Sequence, residues 1–304
     1  MKRVAAYVKM SAKRPGAVCG RSGKSSGEDE SVMNGNLKNG CVALDDTEMY
    51  YVSFGTGEKN LVVLPGLSDG LATVKGKAWM LAPSYRNFLK DYTVYLFSRK
   101  NRMPEGYAIR QMSEDQFRVL GELGVEKTGV LGVSQGGMIA QFLAADHPEL
   151  VQKLVLAVTA PYANARITET VSGWIGMAER RDHTALMTDT AERMYSQAFL
   201  ARYRRLIPAL AKFTRPADYE RFLRNACAIL DFDAREELKR ISCPTLILSG
   251  ENDKVVGRDA AYELNHGISG SELYVYTGLG HGAFEEAKDF YERVREFCDR
   301  AVSD

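Results

Sequence analysis

Ser134 lies in a sequence context that could make its hydroxyl a nucleophile. The run Gly132-Val133-Ser134-Gln135-Gly136 joins an apolar segment typical of a buried strand to a segment of good helix formers. A serine in so tight a strand-to-helix turn takes a strained backbone conformation, and the two glycines permit the close approach of strand and helix. Because a helix N-terminus favours negative charge, we expect the Gln135 N–H to form one half of an oxyanion hole.

His281 is the histidine best placed to act as a base. It follows a predicted last strand, Leu273–Tyr276, in a glycine-rich segment where nothing but a carboxylate would pair with it. Histidine is the side chain that can accept and return a proton near neutral pH. The other histidines are less well placed: His147 is expected to complement the dipole at a helix end, His183 lies among charged residues, and His266 lies near the end of a later helix.

The strands that must position these residues are expected at short apolar runs separated by helical segments. After a hairpin predicted at Cys41–Leu44 and Met49–Phe54, buried strands are expected at Asn60–Leu64, Thr93–Phe97, Thr128–Val133 and Leu154–Val158, and a further strand leads into the acidic turn Glu251–Asp253. Met112–Leu123 is expected to form a helix capped by Ser113 and Gln116. The alternation predicts a mostly parallel, doubly wound sheet that binds ligands at its carboxyl edge.

The G-x-S-x-G context of Ser134 resembles the nucleophile elbow of the α/β-hydrolase family. The resemblance covers about residues 41–304 and implies a serine hydrolase whose catalytic acid follows the next-to-last strand. Asp253 matches that position best, with Glu251 as the second choice. The order Ser134, Asp253, His281 along the chain is the order in which this fold carries its triad.

The resemblance also assigns the second donor of the oxyanion hole. By position, this donor is the backbone N–H of Leu67, with Pro65 where the family commonly has histidine. A departure follows the strand Thr93–Phe97, because residues Ser98–Pro104 lack the Asp-x-Arg-Gly-x-Gly-x-Ser signature that is frequent in the family.

Three regions are expected along the chain. Residues 1–40 are rich in Gly, Ser and charged residues and predict a disordered leader. Residues 41–160 and 234–304 are expected to form the α/β-hydrolase core, and 161–233 an inserted helical cap. Methionines and aromatic residues of the cap are expected mainly to hold it together, a few of them lining an apolar acyl pocket. Its arginines, such as Arg180, Arg181, Arg204 and Arg205, are expected to form a solvated face.

The composition limits the partners of the protein. With 304 residues, 40 Lys+Arg against 39 Asp+Glu and a net charge of +1, the chain has no electrostatic footprint for nucleic acid. No apolar run is long enough to span a bilayer. The spacing of the five cysteines does not suit a metal site, so they are expected to be free thiols: Cys19, Cys41, Cys227, Cys243 and Cys298. Free thiols predict a cytoplasmic protein, and the motifs call for no metal or cofactor.

The sequence therefore predicts a serine hydrolase that forms an acyl-enzyme with a small-molecule acyl substrate, a carboxylic ester or a related compound of small to medium size. Two alternatives stay open. One is a relative that binds a ligand without turnover, and the other is a cofactor-free peroxidase or lyase that uses the same triad. The bond cleaved and the oligomeric state are not fixed by these motifs.

Overall fold

Eight strands form one sheet in the computed structural model, which describes residues 36–301. The strands are β1 (Lys38–Leu44), β2 (Thr47–Phe54), β3 (Lys59–Leu64), β4 (Tyr92–Lys100), β5 (Thr128–Val133), β6 (Val151–Ala157), β7 (Thr245–Gly250) and β8 (Glu272–Tyr276). Their order is β1-β2-β4-β3-β5-β6-β7-β8; β2 pairs antiparallel with β1 and β4, and all other pairs are parallel. The predicted mostly parallel sheet with an N-terminal hairpin is confirmed.

Eleven α-helices connect or follow the strands within residues 36–301. They are α1 (Ala78–Leu81), α2 (Ile109–Glu122), α3 (Gln135–Asp146), α4 (Ala165–Glu179), α5 (His183–Met194), α6 (Gln197–Tyr203), α7 (Ile207–Thr214), α8 (Glu220–Leu230), α9 (Asp259–Gly267), α10 (Ala283–Glu286) and α11 (Phe290–Asp299), with short 3-10 turns at Leu67–Gly70, Ala82–Tyr85 and Leu238–Arg240. None of the helices described is long and apolar enough to cross a membrane.

The central strands are buried on both faces because helices cover both sides of the sheet. Alternate side chains of β3 enter different core layers: Leu61 and Val63 pack on the side of α11, and Val62 and Leu64 on the side of α3. Each fully buried aliphatic side chain of this kind stabilises the fold by about 1.5–3 kcal/mol relative to exposure. The continuous apolar runs of the sequence therefore correspond to strands with two buried faces.

The N-terminal hairpin begins earlier than predicted and has a tighter turn. Strand β1 starts at Lys38, so the predicted leader 1–40 is wrong at its last residues, and the remainder of that prediction, residues 1–35, lies outside the described residues. Leu44 pairs with Thr47, which leaves the two-residue turn Asp45-Asp46, with Asp45 at φ +54°. Since an edge strand pairs through its backbone, its polar side chains gave no apolar signal.

Two further boundaries differ from the predictions. Strand β4 continues through Ser98, Arg99 and Lys100, which are buried although they are polar. Helix α2 begins at Ile109, and Gln111 accepts a hydrogen bond from the Ala108 N–H at 2.9 Å. Ser113 is therefore an interior helical residue, and the predicted cap at this position is wrong. The reason is that the helical periodicity starts one turn before the Ser–Gln pair.

Five helices, α4 to α8, form an insertion between β6 and β7. The two ends of the insertion lie side by side, since Tyr162 and Asp233 form a bridge and the Ala234 N–H donates to Pro161 O at 2.8 Å. The four arginines predicted to be solvated are exposed: Arg180, Arg181, Arg204 and Arg205. The helical character predicted for residues 161–233 thus agrees with the fold.

Candidate active site

Ser134 occupies the sharp turn between β5 and α3. Its backbone has φ +54° and ψ −119°, a conformation that a residue other than glycine adopts only when the surrounding structure enforces it. The turn is enforced by two hydrogen bonds, from the Ser134 N–H to Ala157 O at 2.9 Å and from Thr159 Oγ1 to Ser134 O at 2.8 Å. The strain predicted from the sequence is therefore present at the serine.

The two glycines around Ser134 are required by close packing. A Cβ at Gly136 would lie 1.9 Å from Leu64 O, and a Cβ at Gly132 would lie 2.6 Å from Gly136 O. Both distances are far below van der Waals contact with backbone atoms that cannot move away independently. Strand β5, helix α3 and the end of β3 can meet only if these positions have no side chain.

His281 connects the serine to a carboxylate. Its Nε2 lies 2.9 Å from Ser134 Oγ, and its Nδ1 lies 2.8 Å from Asp253 Oδ2. His281 and Asp253 are 4% and 5% exposed, so this chain of hydrogen bonds is shielded from solvent. The structure thus brings together the three residues that the sequence singled out, each from a loop at the carboxyl edge of the sheet.

The orientation of Asp253 is fixed from its other side. Its Oδ1 accepts hydrogen bonds from the backbone N–H groups of Val255 at 2.8 Å and Val256 at 2.9 Å, which leaves Oδ2 for His281. Glu251, the second choice for this role, instead accepts from the Gly278 N–H at 3.1 Å. Of the two candidate acids, only Asp253 contacts the histidine.

The predicted oxyanion donors begin two helical turns beside Ser134. Leu67 and Gln135 are the first residues of the 3-10 turn Leu67–Gly70 and of α3, so their N–H groups have no partner within those turns. The preceding Gly66 abuts the serine, because a Cβ placed on it would lie 3.8 Å from Ser134 Oγ. Leu67, Ser134 and His281 line the same cavity.

A buried ionic cluster that the sequence did not reveal supports this loop. Asp69 Oδ2 accepts the Arg99 N–H at 2.9 Å and lies 2.5 Å from Arg221 Nη2, while Arg99 Nη2 donates to Pro65 O at 2.5 Å and to Gln135 Oε1 at 3.1 Å. Burial opposes ionisation of Asp69, but Arg221 and Arg99 outweigh it and hold the pKa of that carboxyl below its usual range. Burial lowers the pKa of Arg99 to about 10.

Arg99 belongs to the segment that departs from the family signature. The sequence did contain a sign of this cluster, because charged residues that continue a buried strand must themselves be paired when they are buried. Those partners, Asp69 and Arg221, lie far away in sequence, so spacing could not identify them. The cluster joins the loop Pro65–Gly70, the end of β4 and the insertion helix α8.

Ser134 and His281 line a cavity of about 190 Å³ beneath the insertion. The part of the cavity wall that the insertion supplies is mainly apolar and includes Trp174, Leu186, Met187, Met194 and Phe222. This volume exceeds the cavity of about 150 Å³ that holds a benzene ring in an engineered protein. A second pocket of about 120 Å³ adjoins it within the insertion and shares lining residues such as Met187 and Thr190.

The remaining histidines lie outside the triad. His183 is buried, its Nε2 lies 2.9 Å from Thr214 Oγ1, and burial lowers its pKa. His147 ends α3, as predicted, and stacks on Phe117. Among residues 36–301, no group of three or more His, Cys, Asp or Glu side chains is placed to hold a metal ion.

The sequence of the chain matches the family described as alpha/beta hydrolase fold over residues 61–288. The AB hydrolase superfamily protein YisY of Bacillus subtilis (strain 168) is 31% identical over 201 residues, which cover 64% of this chain and 74% of the relative. Serine hydrolase BPHL of Homo sapiens is 24% identical over 303 residues, which cover 94% of this chain and 93% of the relative. The chain therefore belongs to the alpha/beta hydrolase fold family.

Solved structures show the same fold. The alpha/beta hydrolase MGS-M2, from a Medee basin deep-sea metagenome library, superposes with a TM-score of 0.76 at 22% identity, over 87% of this chain and 99% of that protein. Because the two sequences are only 22% identical, this similarity shows a shared fold and nothing about activity. Relatives of the chain include proteins named 3-oxoadipate enol-lactonase 2 and 2-hydroxy-6-oxononadienedioate/2-hydroxy-6-oxononatrienedioate hydrolase, and the names of both describe hydrolases.

Proposed function

We propose that this protein is a serine hydrolase that forms an acyl-enzyme with a carboxylic ester or related acyl substrate of small to medium size. The observation that carries the proposal is the hydrogen-bonded chain from Ser134 Oγ through His281 to Asp253. The N–H groups of Leu67 and Gln135, each the first of its helical turn, and the apolar cavity above the serine support the same chemistry. The relative named serine hydrolase BPHL agrees with this class.

In the proposed reaction, His281 Nε2 takes the proton of Ser134 Oγ while that oxygen attacks the acyl carbonyl carbon. The N–H groups of Leu67 and Gln135 stabilise the negative oxygen of the tetrahedral intermediate; loss of one such donor costs about 3 kcal/mol in enzymes where it has been removed. His281 then gives the proton to the departing alkoxide, which leaves the acyl-enzyme. Asp253 holds the imidazole with its proton on Nδ1 and stabilises the imidazolium.

The second half of the reaction repeats these steps with water. His281 takes a proton from a water molecule, whose oxygen attacks the acyl-enzyme, and then returns a proton to Ser134 Oγ as the acid leaves. We assign the insertion, residues 161–233, the role of a cap that excludes bulk water and contacts the acyl group. Residues 41–160 and 234–304 form the core in this assignment. The apolar side chains of α4 and α5 in the cavity wall support it.

The proposal is tested with a fluorophosphonate probe and mass mapping of the labelled residue. We expect labelling of Ser134, and p-nitrophenyl esters of increasing acyl length should be hydrolysed with an optimum set by the cavity. The matched control is Ser84→Ala, because Ser84 lines the same cavity outside the triad. Labelling should persist in that variant and vanish in Ser134→Ala.

Three results would redirect the assignment. Labelling that survives Ser134→Ala would remove the serine as nucleophile. An unlabelled wild-type protein that binds a small acyl compound without turnover would instead favour a ligand-binding relative. Oxidation of halide with peroxide, without ester cleavage, would favour a cofactor-free peroxidase.

A further inference from the structure

Glu285 is a carboxylate in the wall of the catalytic cavity that the proposed reaction does not use. It lies on α10, in the turn that follows His281, and is partly buried. The Tyr195 hydroxyl, at the end of α5, donates to Glu285 Oε2 at 2.6 Å. Its neighbour Glu286 is directed elsewhere, since it accepts hydrogen bonds from the N–H and hydroxyl of Ser196.

In the part of the chain that the structure describes, no lysine or arginine is paired with Glu285. Within residues 36–301 it forms no ion pair closer than 4.0 Å, and the cavity lining contains no Lys or Arg. Burial raises the pKa of Glu285 to about 7, an effect that the Tyr195 hydrogen bond opposes and the nearby Glu286 increases. A carboxylate removed from water without a counter-charge is held in an unfavourable state that a bound cation would relieve.

The other acidic group of the lining differs from Glu285 in this respect. Asp69 is already paired with Arg221 at 2.5 Å and with the backbone of Arg99, so it has no unmet charge to offer a ligand. The cavity therefore combines apolar walls with one uncompensated carboxyl group close to the histidine loop. Electrostatic complementarity of this kind selects a ligand that is apolar and carries one positive charge.

We propose that Glu285 is a specificity-determining residue that binds a positively charged group of the substrate, so that the preferred substrates are esters bearing an ammonium or quaternary ammonium group. The proposal rests on the proposed serine hydrolase function, because Glu285 acts on a substrate held at Ser134. In the complex, the cationic group lies against the Glu285 carboxylate, and the rest of the acyl or alcohol part contacts the apolar wall.

The test compares two matched pairs of esters, because the charge can be carried on either side of the ester bond. L-valine benzyl ester is compared with benzyl isovalerate, which lacks only the amino group. Benzoylcholine is compared with neohexyl benzoate, in which carbon replaces the quaternary nitrogen. The measured quantity is the ratio of kcat/KM for the charged ester to that for the neutral ester, so a general change of turnover cancels.

We expect the ratio to fall by about 10- to 100-fold in Glu285→Gln for at least one pair, the loss typical of a charged contact in a partly buried site. Gln keeps the shape of Glu and can still accept from Tyr195, and a thermal melt checks that the variant is folded. In the wild type, the benzoylcholine ratio should rise as the pH passes about 7, because Glu285 ionises there. The variant should lack this rise.

Glu286→Gln is the matched control, since this neighbouring carboxylate binds Ser196 and is outside the cavity lining. It should keep the wild-type ratio once Glu285 is ionised, and the rise of the ratio should move to lower pH, because Glu286 no longer raises the pKa of Glu285. Ratios in Glu285→Gln equal to those of the wild type for both pairs would overturn the assignment of Glu285. If Ser134 is labelled by fluorophosphonate at the same time, the serine hydrolase function stands and only the cation site is lost. An unlabelled Ser134 with no cleavage of any of the four esters would overturn both.

Discussion

Replacement of Asp253 by Asn gives the sharpest prediction for the catalytic site. The backbone N–H groups of Val255 and Val256 both point at Oδ1, so the Asn oxygen must occupy that place. The Asn NH₂ group then faces His281 Nδ1, which can accept this hydrogen bond only if the imidazole carries its own hydrogen on Nε2. In that tautomer, Nε2 cannot accept the proton of Ser134.

The expected loss follows from this forced tautomer. We expect kcat to fall by about 10⁴-fold, equivalent to about 5 kcal/mol of transition-state stabilisation, as for the same change in another triad. KM should change little, because Asp253 is 5% exposed and is absent from the cavity lining. Steady-state hydrolysis of p-nitrophenyl butyrate supplies both constants, and the rate of fluorophosphonate labelling should decrease in parallel.

Glu251→Gln is the control, because Glu251 bonds the Gly278 N–H and not the histidine. It should retain kcat within about threefold, as expected for a substitution away from the reacting groups. An Asp253→Asn enzyme within tenfold of wild type, or an equal loss in Glu251→Gln, would refute the tautomer argument. A thermal melt separates loss of activity from loss of folding.

Four other substitutions test the supporting structure and the second pocket. Gly136→Ala should prevent formation of the turn at Ser134, because its Cβ would lie 1.9 Å from Leu64 O. Gly121→Ala is the control: this position on α2 has open space for a Cβ, so the free energy of unfolding should rise by up to about 1 kcal/mol. Urea unfolding of the two variants compares these effects. Asp69→Asn should lower the free energy of unfolding by about 3–5 kcal/mol, since it leaves two buried guanidinium groups without their carboxylate. Because the pKa of Asp69 is lowered in the folded state, this difference should be full at neutral pH and shrink only below about pH 4, as unfolding at a series of pH values would reveal. Thr190→Trp should shorten the longest p-nitrophenyl acyl chain that is cleaved, because Thr190 lines both pockets; an unchanged chain-length profile would show that the second pocket takes no part of the substrate.

The parts of the fold that could be predicted are those with local signals. Buried strands appear as apolar runs, and the glycines around Ser134 mark a turn that permits only one geometry. His281 could be singled out because a histidine among glycines after a strand has few other uses. The polar start of edge strand β1, residues Lys38–Gly40, gave no such signal.

The parts that could not be predicted depend on contacts distant in sequence. Arg99 could be recognised as unusual, but its partners are 30 and 122 residues away along the chain. Glu285 follows a predicted base, yet nothing in the sequence indicates that it faces the cavity rather than solvent. A carboxylate acquires its chemical character from the groups packed around it, and these are fixed only when the insertion is in place.

The junction between the insertion and the histidine loop limits how substrate range can diverge in this enzyme. Residues Met194–Ser196 hold that loop through the Gly282 N–H to Met194 O bond at 2.7 Å and the contacts of Tyr195 and Ser196 with Glu285 and Glu286. Exchange of the whole insertion for that of a relative would therefore remove part of the support of the loop that carries His281. Productive chimeras should retain these three residues and vary the stretch that follows, from Gln197 to Thr214, which supplies part of the lining of the second pocket.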